Sequence, residues 1–356
     1  MSKGPTIRDV AARAGTSTAV VSYVLNDGPR PVAPETRARV RAAIDALGYR
    51  PNRSARALRA NRTGTLGLVV PDLAKPFFAE LTRAIEDAAF ARGHRLLVGS
   101  AQFDAGHEEQ QLQALVDAHV DAVLLAPAHD PAAALELLRR AELPHVLVHR
   151  TVGAAPGVAG DDLDAGRRAA AHLSGHGYRR VAVLGAAEGD DPVGRRTRGA
   201  LAGLAGPPDA VVECAFTDLR GDAYRAATRL LAGPVEAICA TTDEHALGVI
   251  RAAAEAGRVL GTDLGLISVD GTELGAYLGL SAVTTPFAEL GVAAVGAVLD
   301  GAPGRTVPMT LVTRSSCGCV APDAERKRPG PRVPEEGRDA SRVRRKEPRS
   351  LPPPGS

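Results

Sequence analysis

The chain predicts an all-α helix-turn-helix head followed by an α/β body of two lobes built on parallel sheets. Three observations carry that prediction. Residues 6–26 spell a short helix, a glycine turn and a second helix. From Thr65 onward, short apolar runs alternate with amphipathic stretches, the pattern of parallel strands covered by helices on both faces. Charge divides the chain at the same places. Residues 1–62 hold twelve Lys and Arg against four acids, a net +8, residues 321–356 carry +4, and the stretch between them carries −10, for a total of +2. A basic head on an acidic body directs a polyanionic partner to the head alone.

Thr6 is placed to cap the first helix, with Asp9 three residues on to answer the cap and favour the positive helix end. Val10, Ala11 and Ala14 form a small apolar face that lets another helix approach, and Gly15 supplies the turn. Ser17 caps the second helix; Val21, Val24 and Leu25 repeat at helical spacing and point inward, leaving Thr18, Ala19, Ser22 and Tyr23 outside. These outward residues are short or hydrogen-bonding, suited to base edges and phosphates in a major groove. A surface helix without a partner is the plainer alternative. A third helix runs from about Pro34 to Leu47, with Val40, Ala43, Ile44 and Leu47 on one face and Gly48 at its end.

The arginine-rich segment from Tyr49 to Arg62 has one large apolar residue after its first position, Leu58, and cannot bury enough to fold alone. Gly15 to Asn26, Thr36-Arg37, Gly48-Tyr49, Pro51-Asn52 and Ala55 to Leu58 together resemble the amino-terminal domain and hinge of the LacI family of bacterial transcription regulators. That resemblance implies contacts to a near-palindromic operator from Thr6, Ser17, Thr18, Ala19, Val20, Ser22, Tyr23 and Asn26 in the head. Asn52, Arg53, Ala55 and Leu58 are the matching hinge positions, and the whole acts as a homodimer. It also implies a hinge that becomes helical only on operator DNA, where Leu58 wedges into a minor-groove base step. Taken alone, Leu58 reads as an ordinary linker residue. Two departures stand out: the loop Asp27 to Pro31 is one residue longer than the usual form, and Ala33 replaces the common serine cap of the third helix. Ala19 offers only apolar contact, so base identity does not follow from the sequence.

In the body, strands are expected at Leu66–Val70, Arg95–Gly99, Ala122–Leu125 and Val146–Val148, alternating with helices at Phe77–Arg92, Glu108–Ala118 and Pro131–Ala141. After a break near 150–165 the series repeats. Helices are expected at Ala165–Gly175, Gly194–Leu204, Asp222–Leu231 and Glu244–Gly257, and strands at Val181–Leu184, Val211–Phe216, Ala237–Ala240 and Gly265–Val269. The expected organisation is a head over 1–50, a hinge over 51–62, a two-lobe body over 63–320 and a disordered basic tail over 321–356.

Ligands of such sheets bind at the carboxyl ends of the strands, and two facing lobes make a cleft. Pro71-Asp72 to Glu80, Gly177-Tyr178-Arg179-Arg180 to Gly185, Asp243 to Gly248 and Val269-Asp270 resemble the periplasmic-binding-protein-like effector domain of the same family. The resemblance implies effector contacts from Phe78, Arg196, Asp243 and Asp270, and a small-molecule effector of sugar type. His149 stands where an acidic residue is common, and Phe216 is expected on the far wall. A fork of donors, two carboxylates and an apolar face suit a polyhydroxyl ring. The plainer alternatives are that each Asp caps the following helix and that Arg196 pairs with Asp190 or Asp191 at the surface.

Catalysis finds no motif: there is no dinucleotide fingerprint, phosphate loop or nucleophile elbow. No cofactor and no metal are expected. The nine histidines show no ligand spacing, and Cys317-Gly318-Cys319 is too close-set for a zinc loop, although a redox role for that pair stays open. Cys214 and Cys239 read as ordinary buried thiols. No apolar run reaches roughly 18 residues and no apolar leader precedes Thr6, so a cytoplasmic, nucleoid-associated protein is expected. The expected function is a ligand-responsive transcription regulator, most often a repressor in that family. The alternatives are a solute-binding protein for transport, which calls for an export signal and no basic head, and an α/β metabolic enzyme.

Overall fold

The computed structural model describes residues 5–26, 30–49, 63–153, 155–186, 189–214 and 218–319. In the head, α1 (Ile7–Ala14), α2 (Thr18–Asn26) and α3 (Pro34–Leu47) enclose a core of Val10, Ala11, Ala14, Val21, Val24, Val40 and Ala43. Thr6 and Asp9 form a reciprocal capping box: the Thr6 backbone N–H donates to Asp9 Oδ2 at 2.7 Å, and the Asp9 N–H donates to Thr6 Oγ1 at 3.4 Å. Gly15 closes α1 at φ +60°, a conformation that strains a residue with a Cβ. Ala33 gives α3 no side-chain cap, and Pro34 in the first turn takes over the start with its preset φ.

The body contains two six-stranded sheets. The first lobe holds β1 (Thr65–Val70), α4 (Pro76–Ala91), β2 (Arg95–Ser100), α5 (Ala105–Asp117), β3 (Ala122–Leu125), α6 (Ala132–Arg140), β4 (His145–Val148) and β5 (Gly157–Gly160). The second holds α7 (Asp162–Gly175), β6 (Val181–Gly185), α8 (Pro192–Gly203), β7 (Ala210–Glu213), α9 (Leu219–Leu231), β8 (Ala237–Ala240), α10 (Asp243–Glu255), β9 (Gly265–Asp270), α11 (Glu273–Tyr277) and β10 (Ser281–Thr284). The chain then returns to the first lobe for α12 (Phe287–Asp300) and β11 (Arg305–Val307), and ends in the second with β12 (Thr310–Val312). Strand order is β11-β5-β4-β3-β1-β2 in one sheet and β12-β10-β9-β8-β6-β7 in the other. Among the described residues all strand pairings are parallel except β10 with β12, which closes the second sheet antiparallel at its edge.

Strands such as β3, β6, β8 and β9 are buried along their whole length, as expected of strands covered on both faces. The break expected near 150–165 contains β5, which pairs with β4 and with β11 from near residue 305. Helices α7, α8 and α9 begin two or three residues earlier than their apolar periodicity indicates, because Asp161, Asp191 and Asp218 cap them and their first turns are polar or contain Pro192. α7 and α8 touch backbone to backbone. A Cβ on Gly166 would lie 2.0 Å from the Arg196 carbonyl oxygen, and one on Gly199 would lie 2.0 Å from that of Leu163. This contact sets the floor of the cleft between the lobes.

Candidate functional site

A cavity opens where the carboxyl ends of the two sheets face each other, with about 640 Å³ of empty space including solvent at its mouth. The first lobe contributes an apolar wall: Pro71, Phe77 and Phe78 from β1 to α4, Phe103 before α5, Pro127 and Ala128 after β3, and His149 after β4. The second lobe contributes Asp191, Pro192, Val193 and Arg196 from α8 and its cap, with Leu219, Thr242, Glu244 and Asp270. Of the expected effector residues, Phe78, His149, Arg196 and Asp270 therefore border one cavity.

The wall is aromatic. Phe77 stands edge-on to Phe78 at 5.3 Å, and the His149 ring lies 4.4 Å from Phe77 and 5.9 Å from Phe78. His149 holds a left-handed backbone at φ +68°, which turns its ring onto this wall. Burial, reinforced by the positive charges of Arg196 and Arg150, pushes its pKa well below the usual histidine value. A neutral ring presents one donor and one acceptor nitrogen to a ligand.

Arg196 makes the floor. Its Nε donates to Asp162 Oδ1 at 2.7 Å, and its Nη1 donates to Asp270 Oδ1 at 2.6 Å and to the Thr241 carbonyl at 3.0 Å. All three charged groups are buried. Burial works against the Arg196 charge, but Asp270 and Asp162 outweigh it and raise the pKa. Burial pushes Asp270 up to about 7, with Arg196 opposing and Asp243 adding to the shift. Asp270 also sits at φ +143°, a strained conformation for a residue with a Cβ, followed by Gly271 at φ +72°. Arg196 thus does not pair with Asp190 or Asp191; its neighbour Arg195 takes Asp190, at 2.9 Å.

Asp243 occupies a different place from the one expected. Its Oδ1 accepts from Ser268 Oγ at 2.5 Å, and its Oδ2 accepts from the Thr272 N–H at 2.7 Å and the Thr272 hydroxyl at 2.6 Å. Its own N–H donates to Asp270 Oδ2 at 3.0 Å. It supports Asp270 from behind and does not border the cavity. Phe216 lies outside the described residues. Sequence reasoning missed Asp162, Lys75 and Glu244: Asp162 falls in the break near 150–165, and the other two carry no signal that sets them apart.

In the head, Thr6, Ser17, Thr18 and Ala19 are exposed, and Val20, Ser22 and Tyr23 partly so. The Ser17 hydroxyl accepts from the Val20 N–H at 3.3 Å, starting α2 with its first turn outward. Arg8, Arg13, Arg30, Arg39 and Arg41 are also exposed. α2 runs to Asn26; Asn52, Arg53, Ala55 and Leu58 lie outside the described residues. No helix among the described residues is long and apolar enough to cross a membrane.

The histidines correct the sequence reading. His172 and His176 stand one helical turn apart on α7 and its cap, and the fold brings them to Cys317 and Cys319.

Residues 6–52 match the family model described as bacterial regulatory proteins, lacI family. Residues 63–312 match that of periplasmic binding proteins and the sugar-binding domain of the LacI family. The catabolite control protein A of Priestia megaterium is 31% identical over 86% of this chain and 95% of its own length. The ribose operon repressor of Halalkalibacterium halodurans is 32% identical over 80% and 87%. A solved complex of the transcriptional regulator CelR with cellobiose superposes with a TM-score of 0.63 at 28% identity, covering 88% of this chain and 99% of the other.

Proposed function

This chain belongs to the LacI family of bacterial regulatory proteins, and from that premise we propose that it is a cytoplasmic, homodimeric repressor whose operator affinity is set by a sugar-like effector in the cleft. The observation that carries this reading is the construction of the cavity from both lobes, an aromatic wall on one side and the Arg196–Asp270 pair on the other. A ligand that touches both sides binds one lobe arrangement better than another, and only such differential binding shifts the population toward it.

In this reading the head over 1–50 reads the operator with Ser17, Thr18, Ala19, Val20, Ser22, Tyr23 and Asn26. Thr6 serves mainly the cap, since its hydroxyl donates to Asp9 at 2.8 Å. The hinge over 51–62 supplies Asn52, Arg53, Ala55 and the Leu58 wedge, and the body over 63–320 senses the effector and forms the dimer. The tail over 321–356 adds only non-specific attraction to DNA. Phe78, His149, Arg196 and Asp270 hold the effector, with Phe77 and Glu244 beside them. The relatives named for ribose and cellobiose favour a carbohydrate. The cleft binds without turnover.

The test is selection of genomic DNA fragments by the purified protein at physiological salt with competitor DNA, followed by titration of mono- and disaccharides against the recovered site. A shared near-palindrome released or tightened by one sugar is the expected result. Fragments with no common motif, with and without sugars, would overturn it.

A further inference from the structure

Away from the cleft, at the carboxyl end of α7, four metal-ligating side chains converge from two distant parts of the chain. His172 and His176 come from α7 and its carboxyl cap, whereas Cys317 and Cys319 flank Gly318, after the last strand. His172 Nε2 lies 3.2 Å from Cys317 Sγ and 3.5 Å from Cys319 Sγ, and His176 Nε2 lies 3.1 Å from Cys319 Sγ. All four ligand atoms lie within 4.8 Å of one another. Zinc with two thiolates near 2.3 Å and two imidazole nitrogens near 2.05 Å has tetrahedral edges of about 3.3 to 3.8 Å. The three N···S contacts, at 3.1 to 3.5 Å, fall within about 0.5 Å of the ~3.6 Å N···S edge, so these ligands need part by only a few tenths of an ångström to admit the ion.

We propose that this cluster is a structural zinc site of the His2Cys2 type, formed by His172, His176, Cys317 and Cys319.

The local chain is shaped for it. Gly318 takes φ +90° between the cysteines, and the Tyr178 hydroxyl lies 3.0 Å from where a Cβ on Gly318 would stand, so the turn that brings both sulfurs to α7 requires glycine. The His176 ring stacks on Tyr178 at 6.1 Å and 30°, and the His172 ring stands edge-on to it at 4.7 Å, an orientation that aims both Nε2 atoms at the sulfurs. Ser281 Oγ lies 3.1 Å from Cys317 Sγ and can donate a hydrogen bond to a thiolate there, as outer-shell groups of thiolate-metal sites do. All four cysteines of the chain are free thiols, so no disulfide competes for Cys317 or Cys319.

Binding replaces two S–H bonds by two Zn–S bonds and releases two protons to solvent; no electron is transferred. Two thiolates cancel the dication, so the site is electrically neutral. With four protein ligands it is closed, which suits a structural rather than a catalytic ion. Cys317 is buried and His176 exposed, so the site has an inner anchor and an outer face for metal entry. The ion would tie α7, whose first residue Asp162 holds Arg196, to the segment after β12.

The test uses the full-length protein, stripped of metal and reduced, then titrated with zinc and with cobalt. One zinc per chain by native mass spectrometry is expected, with a tetrahedral cobalt spectrum carrying thiolate charge-transfer bands and a rise in Tm of about 3 °C or more at saturating zinc. Cys319→Ser and His176→Ala alter the outer side of the site and are expected to lower zinc affinity at least a hundred-fold while circular dichroism of the metal-free protein stays unchanged. Cobalt spectra of the unaltered protein report the thiolate ligands even where a variant fails to fold. Zinc binding that is absent or unaffected by both variants, an octahedral cobalt spectrum, or a Cys317–Cys319 disulfide in freshly isolated protein would overturn the proposal.

Discussion

Lys75 Nζ in the first lobe lies 3.4 Å from Glu244 Oε2 in the second, and both residues border the cavity. Glu244 also accepts from Arg220 Nε and Nη2 at 2.9 and 2.7 Å, so its carboxylate is held by its own lobe before the other lobe reaches it. The Lys75 ammonium is therefore the separable half of an interlobe tie. Lys75→Met is expected to weaken effector binding up to about five-fold, since a partly exposed ion pair contributes roughly 1 kcal/mol or less. Calorimetric titration of the effector checks it. An unaltered Kd would mean that other interlobe bonds, among them Arg195 to the Thr151 hydroxyl and carbonyl at 3.1 and 3.3 Å and the Glu273 N–H to Glu80 at 2.8 Å, hold the lobes together without it.

As a proposed effector contact, Asp270 is expected to make effector binding depend on pH. Its pKa stands at about 7 against an ordinary 3.8, chiefly because it is buried. The folded state therefore keeps a proton that the unfolded chain loses, and this group's contribution to stability falls as pH rises from about 4 to about 7 and is constant above. In the proposed function effector hydroxyls would donate to the carboxylate, so affinity should move the other way. It is expected to rise about ten-fold between roughly pH 6 and pH 8 and to level off, with Asp270→Asn removing the slope. Binding isotherms across that range, beside thermal melts of the free protein, distinguish the two trends. A flat affinity profile in the unaltered protein would remove Asp270 as the titrating contact.

The parts of this molecule that were legible in the sequence are those whose signals are local. Thr6 with Asp9, Gly15 and the Val21–Val24–Leu25 spacing lie within one or two turns of each other, and the head forms as they indicate. The strands of the body are marked by unbroken apolar runs. β5 is not: its Gly-Val-Ala-Gly carries almost no side chain and is a strand because β4 and β11 flank it. The partners of Arg196 stand 34 and 74 positions away, so the sequence suggested an adjacent acid where the fold supplies two distant ones. The same separation hid the histidine and cysteine cluster, whose halves are brought together across about 145 residues.

Removing the Arg196 guanidinium leaves the buried carboxylates of Asp162 and Asp270 without their shared counter-charge. Arg196→Met is expected to cost roughly 3 kcal/mol of stability, the penalty typical of breaking a buried pair from one side, and to abolish effector binding. Asp270 can relieve part of the cost by taking a proton, so the loss should be smaller below about pH 7 than above it. Urea denaturation at both ends of that range measures it. A loss under about 1 kcal/mol at each pH would show that water reaches the vacated site and solvates the carboxylates.

Gly199 tests how the cleft floor is held. Arg196 reaches Asp162 only because α7 and α8 touch backbone to backbone, and the Cβ of Gly199→Ala would stand 2.0 Å from the Leu163 carbonyl oxygen and 2.9 Å from the Arg167 nitrogen. Neither atom belongs to a flexible side chain, so the helices must part by more than an ångström, drawing Arg196 from its 2.7 Å bond to Asp162. A stability loss of about 1 to 3 kcal/mol is expected from the overpacking, together with at least a ten-fold loss of effector affinity from the displaced guanidinium. Gly206→Ala, just beyond α8 with nothing within 4 Å of its added carbon, is the control and should leave both quantities unchanged. Were Gly199→Ala to lower stability without altering effector affinity, the positioning of Arg196 would have to come from Asp270 and the Thr241 carbonyl rather than from the contact between α7 and α8.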